Sequence, residues 1–420
     1  MHSLGNESKL SFHSLRYAIT SRMKVLGIET SCDDTGVCLI EAEGDFGATF
    51  AYTVLGYGLI SQTAVHAEYG GVFPDLAKRE HAKNLVPLLE KCLHQANLLT
   101  YRPTRSIVGG IGTILEREPE LLEQLLPFLE KCEKPNIDAI AVTYGPGLPP
   151  ALWVGVNFAK ALSLVWGLPL VAVNHMEGHI VMSMIENVSQ SSGRLAKFEF
   201  PLLSLLASGG HTELVVSNGF GAYELIGKTR DDAAGEAFDK VARMLGLPYP
   251  GGPAISRFAA EARKCDEATP HRISLPRPML HEDNFDFSFS GLKTAVLRLV
   301  EAGSPDGGLT DEMKQEIARE FEEAVADVLV AKTLRAVDQY GANSVVMGGG
   351  VSANSYIRER LKQALTDEGE VAKLLICPPE FSTDNALMVA LPGYFHALER
   401  DFADPLTLRA EPDLAFAEKA

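Results

Sequence analysis

One arrangement of strands occurs twice in this chain, and this repetition most limits the folds that the chain can adopt. Residues 25–31 are typical of a buried strand that ends in polar side chains, and residues 36–40 of the strand that returns beside it. Residues 202–207 and 213–217 have the same design, with a turn of small and polar residues between them. A chain with two such hairpins is expected to form two similar units.

Each hairpin is followed by a segment in which a strand runs through a glycine-rich turn into a helix. In the first half, the strand is 137–142 and the helix is about 150–166. In the second half, the strand 344–347 leads through three glycines, 348–350, towards another helix. This order is typical of βα units in parallel sheets. We therefore predict an α/β protein, internally duplicated, with two lobes and a cleft between them.

The predicted boundaries follow from where these patterns begin and end. The first lobe spans 23–200, with an insertion at 105–134, and the second lobe spans 201–384. Part of the C-terminal helices, 385–420, completes the first lobe. Within the insertion, the Glu- and Leu-rich segment 116–132 is typical of an amphipathic helix packed on the surface.

Composition limits both the location and the partners of the protein. No apolar run reaches the about 18 residues that span a bilayer, so no membrane association is predicted. The net charge of −17 disfavours unaided binding of nucleic acid, which would need a local basic patch or a partner. Six cysteines without a CxxC pair indicate reduced thiols in a cytoplasmic protein. Residues 1–22 have no secretory signal; we interpret them as a disordered extension, with an organellar transit peptide as the alternative.

Two histidines, His175 and His179, stand four residues apart behind an apolar run. In a helix this spacing places both rings on one face, within reach of one metal ion. Histidines four apart are also common on ordinary helices, so the spacing alone leaves both interpretations open. Asp384, far downstream, is a carboxylate that could complete the site. Asp33 and Asp34, in the first hairpin turn, suit phosphate or metal binding or belong to an ordinary polar turn.

Two glycine-rich turns are typical of places where backbone N–H groups approach an anion. One is 208–211, and the other is 348–350, ahead of a helix. Either alone could be a tight turn, but two turns that each end a buried strand favour a nucleotide cleft. The acidic segment 231–240 is either a solvated helix face or the source of a carboxylate for ribose hydroxyls. A rigid Pro-Gly-Gly-Pro turn, 250–253, follows it.

These motifs together resemble a known family, the universal tRNA threonylcarbamoyladenosine transferases. The resemblance covers about residues 24–395 and depends on ordered blocks of sequence. The blocks are 27–34, 69–72 with Arg79 and His81, 145–148, 175–179, 208–212, 231–240, 250–253, 288–294, 349–354 and 383–385. The chain departs from the family at Asn174, at Ala207, at the pair Pro149 and Pro150, and in 105–134.

The resemblance implies the actin/Hsp70/sugar-kinase fold and a specific reaction. Members transfer an L-threonylcarbamoyl group from threonylcarbamoyl-adenylate to N6 of adenosine 37 in tRNAs that read codons beginning with A. They bind one divalent metal ion, usually Fe²⁺ and sometimes Zn²⁺, and the matching ligands here are His175, His179 and Asp384. The positions that match adenylate contacts are Leu206, Ala207, Ser208, Gly209, Gly210, Asp239, Gly252, Ser256 and Asn354. Asp33 and Asp34 are the candidates for orienting the amine or taking its proton.

The resemblance also implies partners: tRNA, a catalytically inactive paralogue, a P-loop ATPase, and a separate synthase that makes the adenylate. Two other functions stay open. A metalloprotease-like glycoprotein endopeptidase needs Glu directly after the first His, whereas Met176 stands there and Glu177 follows. A small-molecule kinase or ATPase of the same superfold has no need of two histidines and an aspartate, so a bound transition metal would discriminate against it.

Overall fold

The protein consists of two α/β lobes, each built around its own sheet. A computed structural model describes residues 22–47, 49–103, 110–186, 191–265, 273–303, 309–367 and 372–418. The predicted extension 1–22 therefore lies, except for Arg22, outside the described residues. No helix among the residues described has the length and apolar character needed to cross a membrane.

The first lobe has a seven-stranded sheet with helices on both faces. Its strands are β1 (Met23–Glu29), β2 (Asp34–Glu43), β3 (Ala51–Ser61), β4 (Ala139–Gly145), β5 (Leu170–Asn174), β6 (Ile185–Glu186) and β7 (Ser192–Leu195). Its helices are α1 (Thr63–Ala67), α2 (Pro74–Gln95), α3 (Ile111–Ile114), α4 (Pro119–Lys131), α5 (Pro149–Trp166) and α6 (His175–Ser183). The strand order is β5-β4-β1-β2-β3-β7-β6.

The second lobe has a six-stranded sheet of order β12-β11-β8-β9-β10-β13. Its strands are β8 (Leu202–Ala207), β9 (Thr212–Gly219), β10 (Ala222–Lys228), β11 (Ser344–Gly348), β12 (Lys373–Ile376) and β13 (Ala417–Glu418). The remaining helices are α7 (Ala234–Met244), α8 (Gly251–Cys265), α9 (Ser290–Gly303), α10 (Asp311–Tyr340), α11 (Ser355–Asp367) and α12 (Leu387–Glu399). Two short 3-10 helices are Gly350–Ala353 and Pro379–Phe381.

The two sheets share one topology, which confirms the predicted duplication. In the first lobe β5, β4 and β1 are parallel, and β2 and β3 follow antiparallel. In the second lobe β12, β11 and β8 are parallel, and β9 and β10 follow antiparallel. Each five-strand unit therefore places the carboxyl ends of its three parallel strands at one edge, where ligands bind in open α/β sheets.

The C-terminal part contributes to both lobes. Helix α12 packs on β1, β4 and α6 of the first lobe. Strand β13, however, pairs with β10 at the edge of the second sheet. In the predicted insertion, Leu121, Leu125 and Leu129 of α4 are fully buried, and the helix packs on α2, so this stretch belongs to the first-lobe core.

Close contact between β1 and α12 depends on a glycine. A Cβ on Gly27 would lie 2.5 Å from the carbonyl oxygen of Ala386 and 2.7 Å from the backbone nitrogen of Ala390. Both neighbours are backbone atoms, so neither can rotate away. The absence of a side chain at this position lets α12 lie directly on the central strand of the first lobe.

Gly27→Ala is expected to destabilise the protein by about 2 kcal/mol, because α12 must move off the sheet to accommodate the methyl group. The matched control is Gly291→Ala in α9, where nothing lies within 4 Å of the added Cβ and the unfolding midpoint should hold or rise slightly. Urea unfolding followed by circular dichroism compares the two variants. An unchanged midpoint for Gly27→Ala would contradict the close contact.

Candidate active site in the interlobe cleft

A cleft of about 700 Å³ lies between the two lobes, at the carboxyl ends of the parallel strands. It is lined from both sides by residues that the sequence singled out. These are Asp33, Asp34, His175, Ser208, Gly209, Gly210, Asp239 and Asp384. Residues from opposite halves of the chain therefore meet at one place, as the duplicated fold predicts.

The histidine pair lies on α6, whose first turn is fixed by Asn174. The Oδ1 atom of Asn174 accepts hydrogen bonds from the N–H groups of Met176 (2.8 Å) and Glu177 (3.3 Å). Asparagine is a favoured N-cap, so Asn174 stabilises the helix start. The rings of His175 and His179 lie on one face with centroids 4.8 Å apart, which confirms the predicted helical spacing.

Asp384 lies beside both rings, although more than 200 residues separate it from them in the chain. Its Oδ1 atom is 3.4 Å from Nε2 of His175 and 3.3 Å from Nε2 of His179. One ligand atom from each of the three residues lies within 4.8 Å of the others. The Nε2 atom of His179 is buried and has no hydrogen-bond partner among the described residues.

A buried carboxylate, Glu29, lies behind His175 and was missed in the sequence. Its Oε2 atom is 3.5 Å from Nδ1 of His175 and accepts a hydrogen bond from the hydroxyl of Thr143 (2.6 Å). Its Oε1 atom accepts from the N–H of Ser31 (2.5 Å). A carboxylate beside Nδ1 directs the ring proton there and leaves Nε2 free as a ligand. The one sequence feature that could have indicated Glu29 is its position at the end of an apolar strand.

The charges around His175 determine which species is stable there. Burial lowers the pKa of His175, but Asp384 and Glu29 outweigh burial and raise it to about 10. Burial opposes ionisation of Asp384, yet the two histidines hold the pKa of this carboxyl well below its usual range. Burial lowers the pKa of His179. Two carboxylates thus favour a positive charge at this point, either a proton or a metal ion.

Asp33 and Asp34 also line the cleft. Burial, and then the charge of Asp384, raise the pKa of Asp34 to about 7 and shift the pKa of Asp33 upwards. The Oδ1 atom of Asp34 is buried without a hydrogen-bond partner among the described residues. A carboxyl that titrates near neutral pH can accept a proton from a substrate. His211 also lines the cleft, and burial lowers its pKa to about 4, so it stays neutral.

The glycine turns leave open space above the backbone. A Cβ added to Gly209, Gly210, Gly252 or Gly350 would meet nothing within 4 Å. Asp239 lines the same cleft, and its Oδ1 atom accepts the N–H of Gly251 (2.7 Å) at the start of α8. Burial raises the pKa of Asp239, and the two glycine N–H groups oppose that shift.

The other predicted adenylate contacts do not line the cleft directly. Leu206 and Ala207 have fully buried side chains, so only their backbone can face a ligand. Ser256 and Asn354 lie behind the turns and hydrogen-bond to each other (2.9 Å). In the acidic segment, Asp232 lies before the start of α7 and is bonded to Lys240 (2.8 Å) and Lys293 (2.7 Å), so this carboxylate is paired with two lysines.

The fold and the cleft together define a two-lobed α/β protein with a His-His-Asp cluster beside glycine turns of the nucleotide-binding kind. The chain belongs to the TsaD family, described as tRNA N6-adenosine threonylcarbamoyltransferase, whose model matches residues 53–105 and 115–391. The match therefore includes most of the predicted insertion 105–134 and leaves only 106–114 unmatched within it.

Curated relatives agree with this family. The chain is 41% identical over 397 residues to the tRNA N6-adenosine threonylcarbamoyltransferase of Chromobacterium violaceum, covering 94% of this chain and 98% of that protein. It is also 41% identical over 388 residues to the enzyme of the same name from Bordetella petrii, covering 92% and 94%. Among solved structures, it is similar to full-length HypF in the phosphate- and nucleotide-bound form, with 14% identity, a TM-score of 0.46, and coverage of 91% and 57%.

Asp34→Asn is expected to stabilise the metal-free protein at pH 8. The raised pKa means that the folded state holds the proton more tightly than the unfolded state does, so ionising Asp34 costs stability. That cost begins near pH 4, grows as the pH rises to about 7, and is constant above. The asparagine variant should gain on the order of 1–2 kcal/mol at pH 8 and nothing near pH 4.

Melting temperatures measured at both pH values in the presence of a chelator test this expectation. The exposed Asp413→Asn variant is the control and should match the wild type throughout. An equal shift of the midpoint at both pH values in Asp34→Asn, or a lower midpoint at pH 8, would contradict the raised pKa of Asp34.

Proposed function

We propose that this protein transfers an L-threonylcarbamoyl group from threonylcarbamoyl-adenylate to N6 of adenosine 37 in tRNAs that read codons beginning with A. Membership of the family supports the reaction, since relatives that match nearly the whole chain carry that name. The observation that carries the proposal is the cluster of His175, His179 and Asp384, of which His175 and Asp384 line the same cleft as the open glycine turns.

The two alternative functions receive less support. In an endopeptidase, Glu177 would activate water at the metal. Instead its Oε2 atom lies 2.8 Å from Nε2 of His396, and the residue does not line the cleft. A small-molecule kinase of the same superfold is not favoured by the family match.

The cluster fits a divalent metal ion, which we propose to be Fe²⁺, with Zn²⁺ as the alternative. Two imidazole nitrogens and one carboxylate with open positions are typical of non-haem iron(II) and also of catalytic zinc. His175, His179 and Asp384 would hold the ion, and Glu29 and Ser31 would orient His175 through Nδ1. When bound, such an ion supplies Lewis-acid polarisation of a carbonyl oxygen.

The residues of the chain have separate parts in the proposed transfer. The backbone of the Ser208–Gly210 turn holds the adenylate phosphate, and Asp239 accepts hydrogen bonds from ribose hydroxyls. N6 of the adenosine attacks the carbamoyl carbon, a C–N bond forms, and the C–O bond to phosphate breaks. AMP leaves with the electron pair, and Asp34 accepts the proton from N6. Asp33 is placed to orient the incoming amine.

Partners are part of the proposal because this chain is poorly suited to hold tRNA alone. A net charge of −17 repels phosphates. We propose that an inactive paralogue and a P-loop ATPase supply the missing surface, and that a separate synthase supplies the adenylate. A cytoplasmic location is consistent with the five free cysteines of the described chain.

The reaction is tested with purified protein, its partners, threonylcarbamoyl-adenylate and tRNA, followed by mass spectrometry of the nucleosides. His175→Ala and His179→Ala are each expected to lose the metal and to lower transfer at least about a hundredfold, because each variant removes one of only three candidate ligands. His211→Ala changes a neighbouring cleft histidine outside the cluster and should retain the metal. A double His175/His179 variant with full metal content would remove the metal from this location.

Asp239→Ala is expected to weaken binding of a non-hydrolysable adenylate analogue about tenfold to a hundredfold, because a charge-assisted contact with the ribose is lost. The affinity for tRNA should barely change. Asp239→Asn is the matched control, since an amide oxygen can still accept the Gly251 N–H but carries no charge. Calorimetric titration with the analogue and with tRNA measures the two affinities separately. Normal analogue binding by Asp239→Ala, together with weakened tRNA binding, would show that the nucleotide lies elsewhere.

A further inference from the structure

We infer that His81 of α2 is a positioning residue: its ring holds the turn that carries Asp33 and Asp34 into the cleft. The inference rests on the proposed function for what these two aspartates do there. His81 is fully buried and is not among the residues that line the cleft, so it acts through the turn rather than on a reacting atom.

The turn between β1 and β2 is held through three successive carbonyl groups. The carbonyl of Ser31 accepts a backbone N–H from the N-cap residue of α5 (2.8 Å), and the carbonyl of Asp33 accepts the N–H of Gln62 (2.9 Å). Between them, the carbonyl of Cys32 accepts a hydrogen bond from Nε2 of His81 (2.9 Å). His81 is therefore the one side chain among these three donors, so a substitution can remove its hydrogen bond and leave the two backbone bonds in place.

The position of the proton on the His81 ring follows from its partners. A carbonyl oxygen can only accept, so Nε2 carries the proton that is donated to Cys32. Burial lowers the pKa of His81 to about 4, so the ring is neutral near pH 7 and Nδ1 is an acceptor. The hydroxyl of Thr35 lies 2.8 Å from Nδ1 and donates to it. Both ring nitrogens are thus used inside the protein, and the ring cannot turn without breaking a buried hydrogen bond.

Gln62 holds the same turn by its backbone and supports His81 by its side chain. Its N–H donates to the carbonyl of Asp33, and its Nε2 atom lies 3.3 Å from Nδ1 of His81. Its Oε1 atom accepts a hydrogen bond from Nε2 of His66 (3.1 Å), whose Nδ1 accepts the backbone N–H at the N-cap of α2 (3.3 Å). Gln62, His66 and His81 are all buried, so the turn is attached to a solvent-free set of hydrogen bonds.

These attachments oppose a repulsion inside the cleft. Asp33, Asp34 and Asp384 all line it, and burial, followed by the charge of Asp384, raises the pKa of both Asp33 and Asp34. Ionised carboxylates in one cleft repel each other, and a turn held less firmly would move its aspartates away from Asp384. Because a shift of about 1 Å in a catalytic group can cost about a hundredfold in rate, the hold on this turn bears directly on the proposed proton transfer.

The test compares His81→Leu with His81→Gln in the full chain with its metal and its partners. Leucine fills the buried space but offers no donor to the carbonyl of Cys32, whereas the amide of glutamine brings an N–H near the position of Nε2. His81→Leu is expected to lower kcat for threonylcarbamoyl transfer about tenfold to a hundredfold. His81→Gln should stay within about threefold of the wild type, and both variants should keep the metal content and the Kd for the adenylate analogue within about twofold.

Asn84→Leu is the matched control, because Asn84 lies on the same helix and is also buried, and its Nδ2 atom has no hydrogen-bond partner among the described residues. This variant should keep the kcat of the wild type. Thr35→Val is a second test variant that leaves His81 in place and removes only the hydroxyl that donates to Nδ1. It should lower kcat about threefold to tenfold, since one buried hydrogen bond that holds the ring is lost.

Two further measurements separate positioning from a general loss of stability. Hydrogen exchange followed by mass spectrometry should be faster in His81→Leu for the peptide that contains residues 32–34, and unchanged there in His81→Gln and Asn84→Leu. The double variant of His81→Leu and Asp34→Asn should have nearly the same kcat as Asp34→Asn alone, because both changes act through one carboxyl group.

Three results would overturn the inference: unchanged exchange of this peptide in His81→Leu, an equal loss of kcat in Asn84→Leu, or losses that multiply in the double variant. Absence of transfer by the wild type with its partners would instead overturn the proposed function alone. The exchange measurement needs no transfer, so it still shows whether His81 holds the turn.

Discussion

A fully buried carboxylate, Glu29, and a largely buried one, Asp384, on either side of one imidazole are the constraint on which the cleft depends. Glu29 comes from the end of β1 and Asp384 from the segment before α12, and both face His175. Buried carboxylates are costly unless a positive charge or several donors stabilise them. Because the chain must bring strand, helix and C-terminal segment together to meet that need, the stability of the interlobe region is coupled to the charge held at His175.

The positions of the ligands are fixed by backbone capping as well as by charge. His175 follows Asn174, which caps α6, and Asp384 precedes Asn385, whose Oδ1 atom accepts from the first N–H groups of α12. Helix α6 is also bonded to the second lobe, since the hydroxyl of Ser183 donates to the carbonyl of Met347 (3.1 Å). The helix that carries both histidines therefore also joins the lobes, so ligand geometry and lobe arrangement are set together.

The sequence predicted those parts of the site that show a local pattern. The duplicated strands, the spacing of His175 and His179, and the glycine turns all follow short periodicities, and the structure places them at one cleft. Glu29 is a single carboxylate at the end of an apolar strand, and its contact with His175 appears only when distant segments of the chain meet. The pairing of the C-terminal strand β13 with β10 could not be predicted from a local pattern either, because the two strands lie nearly 200 residues apart in the chain.

The negative charge of the cleft has two opposite effects on the proposed reaction. Burial and the charge of Asp384 raise the pKa of Asp34 to about 7, which suits a group that must accept a proton near neutral pH. The same charge repels a polyanionic tRNA. The cations that line the described cleft do not offset it, since Lys240 is bonded to Asp232 and Glu236, and Arg243 donates to the carbonyl of Gly70. An adenylate can still bind through neutral backbone N–H groups, but a tRNA needs positive charge from another surface. The environment that suits Asp34 to the proposed role of base is thus also a physical argument for the proposed dependence on partners to hold the tRNA.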